Sequence, residues 1–250
     1  MRFLTEPDVR LLAVTRWVAE ELPEDAAAWQ VNVDTADGEM LIEFAGRQCY
    51  ESWENKAGRT NAQYIENIKQ IGHLSVVEHA GASLRFAAVS RSWSHEAVRH
   101  RHLSVSQLSQ RYVDSSEVNF VVPPAIRGTR LQPAFEAVCR RSVAAYETLT
   151  AFLVPTHEEP STARIKLARE AARSVLPNAT ETRLVLTGNL RAWRWFCKLR
   201  ATEAADAEMA EVACRVVEIL QGVAPSVFND FEEKTSEKDG RAYYHTKLSY

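Results

Sequence analysis

The 250-residue sequence predicts an α+β fold: an antiparallel sheet flanked by helices, with a long helical C-terminal half. Two patterns carry this expectation. Leu84, Phe86 and Ala88 alternate along residues 82–89, which is the period of a half-buried strand. Met209, Val212, Ala213, Val216, Val217 and Leu220 fall at offsets 0, 3, 4, 7, 8 and 11, which is one stripe of a helix. Strand signals come first and helical signals follow, with no repeat, low-complexity tract or linker between them. That order suggests mixed layers in a single domain spanning residues 1–250.

Each element has its own local reason. Thr5 reads as a helix N-cap with Asp8 three positions on, and Leu11, Leu12, Val14 and Trp17 supply an apolar stripe as far as Leu22, where Pro23 stops it. Residues 30–45 read as strands around a turn at Ala36-Asp37-Gly38, with Met40, Ile42 and Phe44 alternating. A helix is expected over residues 60–71, closed by Gly72 where a left-handed residue is wanted. Ser92 can cap a short helix carrying His95, Glu96 and Arg99. Helices are then expected over residues 133–153, 161–175 and 189–199, before the long one beginning near Met209. The tail after Pro225 is polar and reads as solvated.

Composition excludes several classes of function. The net charge is −3, so nucleic acid is not a bulk partner and any basic site must be local. Cys49, Cys139, Cys197 and Cys214 are scattered with no CxxC pair, which suits a reducing cytoplasm and argues against a disulfide framework or a cysteine zinc site. Glu6 and Asp8 interrupt the N-terminus early, against a signal peptide, and no apolar run approaches a membrane span. His73, His79, His95, His100 and His102 crowd within thirty residues, but none makes the i, i+4 pair of a helical metal site, and the arginines beside His100 would repel a cation; no metal is expected. Neither GxGxxG nor GxxxxGK[ST] occurs, so any phosphate bound here must be held by side chains.

Residues 99–112 supply such side chains. They read Arg-His-Arg-His-Leu-Ser-Val-Ser-Gln-Leu-Ser-Gln-Arg-Tyr, with three arginines, two histidines, three serines, two glutamines and no acid. A core has no use for this set, and a solvated face would mix both signs of charge. A multiply anionic ligand does call for it: the planar arginine fork matches phosphate oxygens, while Ser, Gln and His fix orientation. Ser109 as a nucleophile with His100 as base is the weaker reading, because no GxSxG elbow surrounds it. Glu96 stands three residues before Arg99 and four before His100, either as an ordinary helix pair or as a carboxylate orienting an arginine. Arg191, Arg194, Lys198 and Arg200 lie among Trp193, Trp195 and Phe196, and Arg173 sits on an apolar face before Pro177. Taken singly, these are cations on amphipathic helices.

Taken together, the segments resemble the flavin-dependent thymidylate synthases. The family signature RHRxxSxxxxSxRY is carried by Arg99, His100, Arg101, Ser104, Ser109, Arg111 and Tyr112, departing at Ser106 where Asn is frequent. The likeness extends over residues 40–220, through Gly72-His73-Leu74-Ser75, Glu78-His79, Arg173-Ser-Val-Leu-Pro177, Asn189-Leu190-Arg191 and Leu199-Arg200. The resemblance implies reductive methylation of dUMP to dTMP with methylenetetrahydrofolate as carbon donor, FAD as hydride relay and NADPH as reductant. It also implies a homotetramer whose sites are shared between subunits. By the same resemblance Ser75, Arg99, His100, Arg101, Gln107, Asn189, Leu190 and Arg191 would hold FAD. Glu96, Arg99, Gln107, Leu108, Ser109, Gln110, Arg111 and Arg173 would hold dUMP, with His73 against the folate pterin. Arg200 would face the uracil edge and stabilise the charge that builds there. Trp195, where His or Asn is expected, and Ala204, where His is common, depart from the pattern. Two alternatives follow: a flavin- and nucleotide-binding relative without turnover, and a single-strand nucleic-acid module in which tryptophans stack on bases.

Overall fold

The computed structural model describes residues 1–30, 35–54, 58–154 and 161–248. In chain order the first elements are β1 (Phe3–Leu4), β2 (Asp8–Val14), α1 (Asp37–Gln48), α2 (Asn61–Gln70), β3 (Gly81–Ser90) and α3 (Arg91–Ala97). They are followed by β4 (Ser104–Gln107), β5 (Phe120–Val121), α4 (Gln132–Leu153), α5 (Thr162–Ala172) and β6 (Glu181–Asn189). Then come α6 (Leu190–Arg200), α7 (Ala207–Val223), α8 (Pro225–Phe228), β7 (Glu232–Thr235) and β8 (Ala242–His245). The chain is therefore mixed α and β, with one sheet in the order β2-β3-β6-β4 and a C-terminal antiparallel hairpin of β7 and β8. β3 and β6 run antiparallel: Leu190 N donates to Ala80 O at one end, and Arg91 N to Thr180 O at the other. Two compact units result. The first comprises Met1–Asp8, Phe86–Arg99 and Val105–Val185, and the second Val9–Arg85, His100–Ser104 and Leu186–Tyr250.

In the first unit β1 lies parallel to β5, and Phe3 stacks on Phe120 at 5.9 Å. Phe120, Cys139 and Val143 form the buried centre between that ribbon and α4. α5 packs along α4 and starts where Ser161 caps it, the hydroxyl accepting from Arg164 N. α5 runs on into a 3₁₀ turn at Arg173–Val175, so Arg173 stands where the helix tightens.

In the second unit α7 buries Met209, Val212, Ala213, Val216, Val217 and Leu220, the stripe expected from the sequence, and α6 packs against it. α2 has the anticipated bounds: Thr60 and Gln63 form a capping box, and Gly72 takes φ 76° just past its end. Gly81 is required by packing, because a Cβ there would sit 2.9 Å from the Gly188 carbonyl of β6. Arg194 and Lys69, both with fully buried side chains, converge on Asp230. Arg194 binds both oxygens of this carboxylate, at 2.7 and 2.8 Å, and Lys69 binds it at 3.1 Å. Thr246 adds a hydroxyl donor to Asp230 from beyond β8. Burial pushes the Asp230 carboxyl up, but the Arg194 and Thr246 bonds outweigh it and hold the group below the usual carboxylate range.

Four expectations need correction. The C-terminal half, expected to be helical, also carries β6, β7 and β8, of which β6 is an inner strand of the sheet. The segment expected to be a helix over residues 5–22 holds strand β2 instead, with Leu11, Leu12 and Val14 all exposed; those leucines are not the buried stripe of a helix. The strands expected over residues 30–45 give way to helix α1, the part at residues 31–34 lying outside the described residues. α1 buries Glu39, Met40, Ile42, Glu43, Gly46 and Arg47, a helical stripe in which half the positions are charged. These charges are satisfied inside: Glu43 accepts from Arg47, Asn61 and Trp29, and Glu39 accepts from Ser226 N at 2.6 Å and Val227 N at 3.3 Å. Finally, the cap of α3 is Ser90, not Ser92; its Oγ accepts from Trp93 N at 2.9 Å.

Among the described residues no helix is long and apolar enough to cross a membrane, and no cluster of His, Cys, Asp or Glu could hold a metal ion. Cys139, Cys197 and Cys214 are buried, whereas Cys49 is exposed. Burial pushes the Cys139 thiol up to about 11 and Cys214 to about 12, and raises Cys197 as well.

Candidate functional site

The residues singled out from the sequence fall into two groups, one in each unit. In the first unit, β4 delivers Gln107 and turns away at Leu108, whose N–H donates to Arg183 O at 2.8 Å. Gln107 Nε2 donates to Ser94 Oγ at 2.8 Å and to Thr182 Oγ1 at 3.2 Å. Its amide nitrogen is thus held by α3 and β6, and its carbonyl oxygen is the end that can meet a ligand. Ser109 heads a tight turn, its carbonyl accepting from Tyr112 N and Val113 N. Gln110 is half-buried beside it. Arg111 reaches Glu170 of α5 at 2.7 Å, and its Nε is buried without a hydrogen-bond partner. Lys166 donates to the Tyr112 hydroxyl at 2.7 Å and lies 4.6 Å above its ring, which holds that phenol below its ordinary value.

Arg173 has a neighbour that the sequence did not announce. Arg91, the first residue of α3, is half-buried, and its guanidinium is pulled below the ordinary arginine value, first by burial and then by the charge of Arg173. Neither guanidinium is ion-paired to a carboxylate among the described residues. Two partly desolvated cations whose charges act on each other suit a dianion. Position 91 lies outside every motif, between a strand and a helix, so only the fold could bring it to Arg173. Glu96 is half-buried on α3; Arg99 is exposed just beyond it, its N–H donating to Glu96 O at 3.1 Å.

The second unit holds the other group. Asn189 caps α6, its Oδ1 accepting from Ala192 N at 2.8 Å, so this side chain builds the helix start. Leu190 is buried, and Arg191 projects from the first turn to Glu78 at 2.5 Å. Glu78 belongs to a 3₁₀ segment, Leu74–His79, that packs on α6; His73 immediately precedes it, and Ser75 lies exposed within it. Glu78, His102, Asn189, Arg191, Ala192 and Trp195 line a cavity of about 450 Å³, within the range of small-molecule sites. Trp195 is 40% exposed on that wall. Arg101 is exposed, while His100 is buried and accepts on Nε2 from Arg200 Nε at 2.9 Å. Ser106 is exposed on β4, and Ala204 is exposed beyond α6.

Arginines and glutamine amides on a scaffold that lacks a glycine loop suit a class of protein that holds anionic, ring-bearing ligands by side chains. Residues 31–226 match the family model described as Thymidylate synthase complementing protein. A flavin-dependent thymidylate synthase of Mycobacterium sp. (strain JLS) is 48% identical over 233 residues, covering 90% of this chain and 89% of that protein. Similarly named proteins of Corynebacterium diphtheriae and Mycobacterium avium (strain 104) are 45% and 47% identical, each alignment covering at least 90% of both chains. The chain belongs to the flavin-dependent thymidylate synthase family.

Proposed function

We infer that this protein carries out the reductive methylation of dUMP to dTMP, with methylenetetrahydrofolate as carbon donor, and thereby serves dTMP biosynthesis. Bound FAD supplies hydride transfer, with NADPH as the reductant that regenerates it. The cavity on α6 suits a planar portion of that cofactor, because an exposed indole can face a ring while Arg191 and His102 face anionic oxygens.

The observation that carries the reading is that Arg91 and Arg173 are two half-buried guanidiniums whose like charges act on each other. A nucleotide phosphate is the dianion that fits, with Ser109, Gln110 and Arg111 adding shorter donors. The Gln107 carbonyl accepts from a ring N–H, and Glu96, Arg99 and Leu108 complete that group. Arg200 lends fixed positive charge to the activated uracil ring as negative charge develops on N3 and its carbonyls. Ser75, Arg99, His100, Arg101, Asn189, Leu190 and Arg191 are assigned to the flavin side, with His73 near the folate. A homotetramer in which each site draws on more than one subunit, working in the cytoplasm as one functional domain, belongs to this reading.

The visible spectrum of the purified protein, followed by tritium release from labelled dUMP with folate and NADPH, tests it. Flavin absorbance with tritium release is the expected result. A colourless protein that gains no flavin on addition of FAD, and releases no tritium, overturns it.

A further inference from the structure

We infer that His100 is the positioning residue for Arg200: a neutral imidazole that locks the guanidinium through one acceptor nitrogen. This rests on the reading above, in which Arg200 meets the reacting pyrimidine.

The geometry assigns the roles of donor and acceptor. An arginine side chain has donors only, so the 2.9 Å contact from Arg200 Nε requires a lone pair on His100 Nε2. The imidazole proton must then sit on Nδ1. The ring is placed before it meets Arg200: His100 is 8% exposed, and it stands edge-on to Phe196 with centroids 4.9 Å apart and planes at 67°. Phe196 lies on α6, four residues before Arg200, so the helix that carries the arginine also carries the wall behind its partner. The backbone of His100 is fixed as well, its carbonyl accepting from Leu103 N at 3.0 Å. On the other side the helix end is pinned, with Ala201 N donating to Cys197 O and Tyr244 N donating to Ala201 O.

Arginine has several rotatable bonds and loses about 2 kcal/mol of rotamer freedom when ordered. His100 imposes that order in advance, at the atom nearest the aliphatic stem. With Nε engaged, the plane of the guanidinium is set against the imidazole. A guanidinium that must stabilise charge appearing only during reaction gains most from being placed beforehand. Burial, then the charges of Arg200 and His102, hold the imidazole at about 4, so it stays an acceptor throughout the neutral range. The two ends of this pair come from different motifs of the sequence, and their contact links the Arg-His-Arg segment to the last turn of α6.

The test compares His100→Gln, whose side-chain oxygen can replace the acceptor, with His100→Leu, which cannot. In the flavin-loaded enzyme we expect His100→Leu to lower kcat for tritium release by about 10²-fold, the scale of a misplaced catalytic group. Because His100 is also assigned to the flavin side, the rates are compared at saturating FAD, followed by flavin fluorescence, and His100→Gln should recover most of the rate. An intact kcat for His100→Leu at saturating FAD, with FAD affinity alone reduced, would make His100 a cofactor ligand only and overturn the assignment. Nuclear magnetic resonance of the wild-type imidazole at neutral pH gives a second readout that does not depend on a variant folding. The Nδ1-protonated tautomer is expected; an Nε2-protonated ring or an imidazolium overturns the proposal. Were the wild type to release no tritium at all, the functional reading would fall while the tautomer still decided the bond.

Discussion

Replacing Asp230 with Asn should cost more stability than any change at the surface. The carboxylate answers two cations, Arg194 and Lys69, whose side chains are 0% exposed, while Asp230 itself is only 14% exposed. Asparagine keeps an acceptor of similar shape but removes the charge, leaving Arg194 buried opposite a neutral group. Lys69 retains Glu66 at 2.9 Å, so most of the penalty falls on Arg194. Breaking a buried pair in this way costs about 3–5 kcal/mol. For a chain of this size each kcal/mol moves Tm by about 2–4 °C, so the expected drop is about 6–20 °C. Thermal unfolding followed by circular dichroism, with urea midpoints as a check, measures it. The companion variant Arg194→Met with Asp230→Leu removes both charges and should recover most of the loss, because an apolar replacement of a buried pair is often neutral. A Tm shift below about 2 °C for Asp230→Asn, or a double variant no better than the single one, would refute the reasoning.

Other outcomes follow from the same structure. His100 is held at about 4 against an ordinary 6.5, so the unfolded chain takes up a proton that the folded one refuses. Its contribution, up to about 3 kcal/mol, is complete above pH 6.5 and drains away as the pH falls to about 4. Urea midpoints against pH should therefore fall more steeply over that window in the wild type than in His100→Gln, and equal slopes would contradict it. Arg91→Ala or Arg173→Ala removes a charged contact worth about 1.5–3 kcal/mol, so KM for dUMP should rise about 10- to 150-fold while FAD affinity holds. An unchanged KM would remove Arg91 from the site. Gly81→Ala forces a Cβ to 2.9 Å from a backbone carbonyl that cannot rotate away, and should cost about 1–3 kcal/mol by denaturant titration.

Much of the helical half was legible because its stripes are apolar, as in α7, or because caps mark the ends, as at Thr60, Ser161 and Asn189. Helix α1 was hidden because its buried face carries Glu39, Glu43 and Arg47, leaving only Met40, Ile42 and Phe44 to show an alternation that mimics a strand. Strand β2 is not legible because its leucines are exposed on it, so they obey no burial period. The polar tail gave no sign of the β7–β8 hairpin, whose anchor is the buried Tyr244 and whose sequel, Thr246, returns to Asp230. At the site, the motif arginines were visible but their partners were not. Glu170 lies 59 residues beyond Arg111, Thr182 lies 75 beyond Gln107, and Arg91 comes under the charge of Arg173 only through folding.

The three interior cysteines make the protein a gauge of its own opening. Their thiols are enclosed and held protonated, so an alkylating or disulfide-exchange reagent offered to the native enzyme should react at Cys49. Modification of the other sulfurs must wait for α4, α6 or α7 to part from its neighbours, and the lag before each reacts would time those separations one helix at a time.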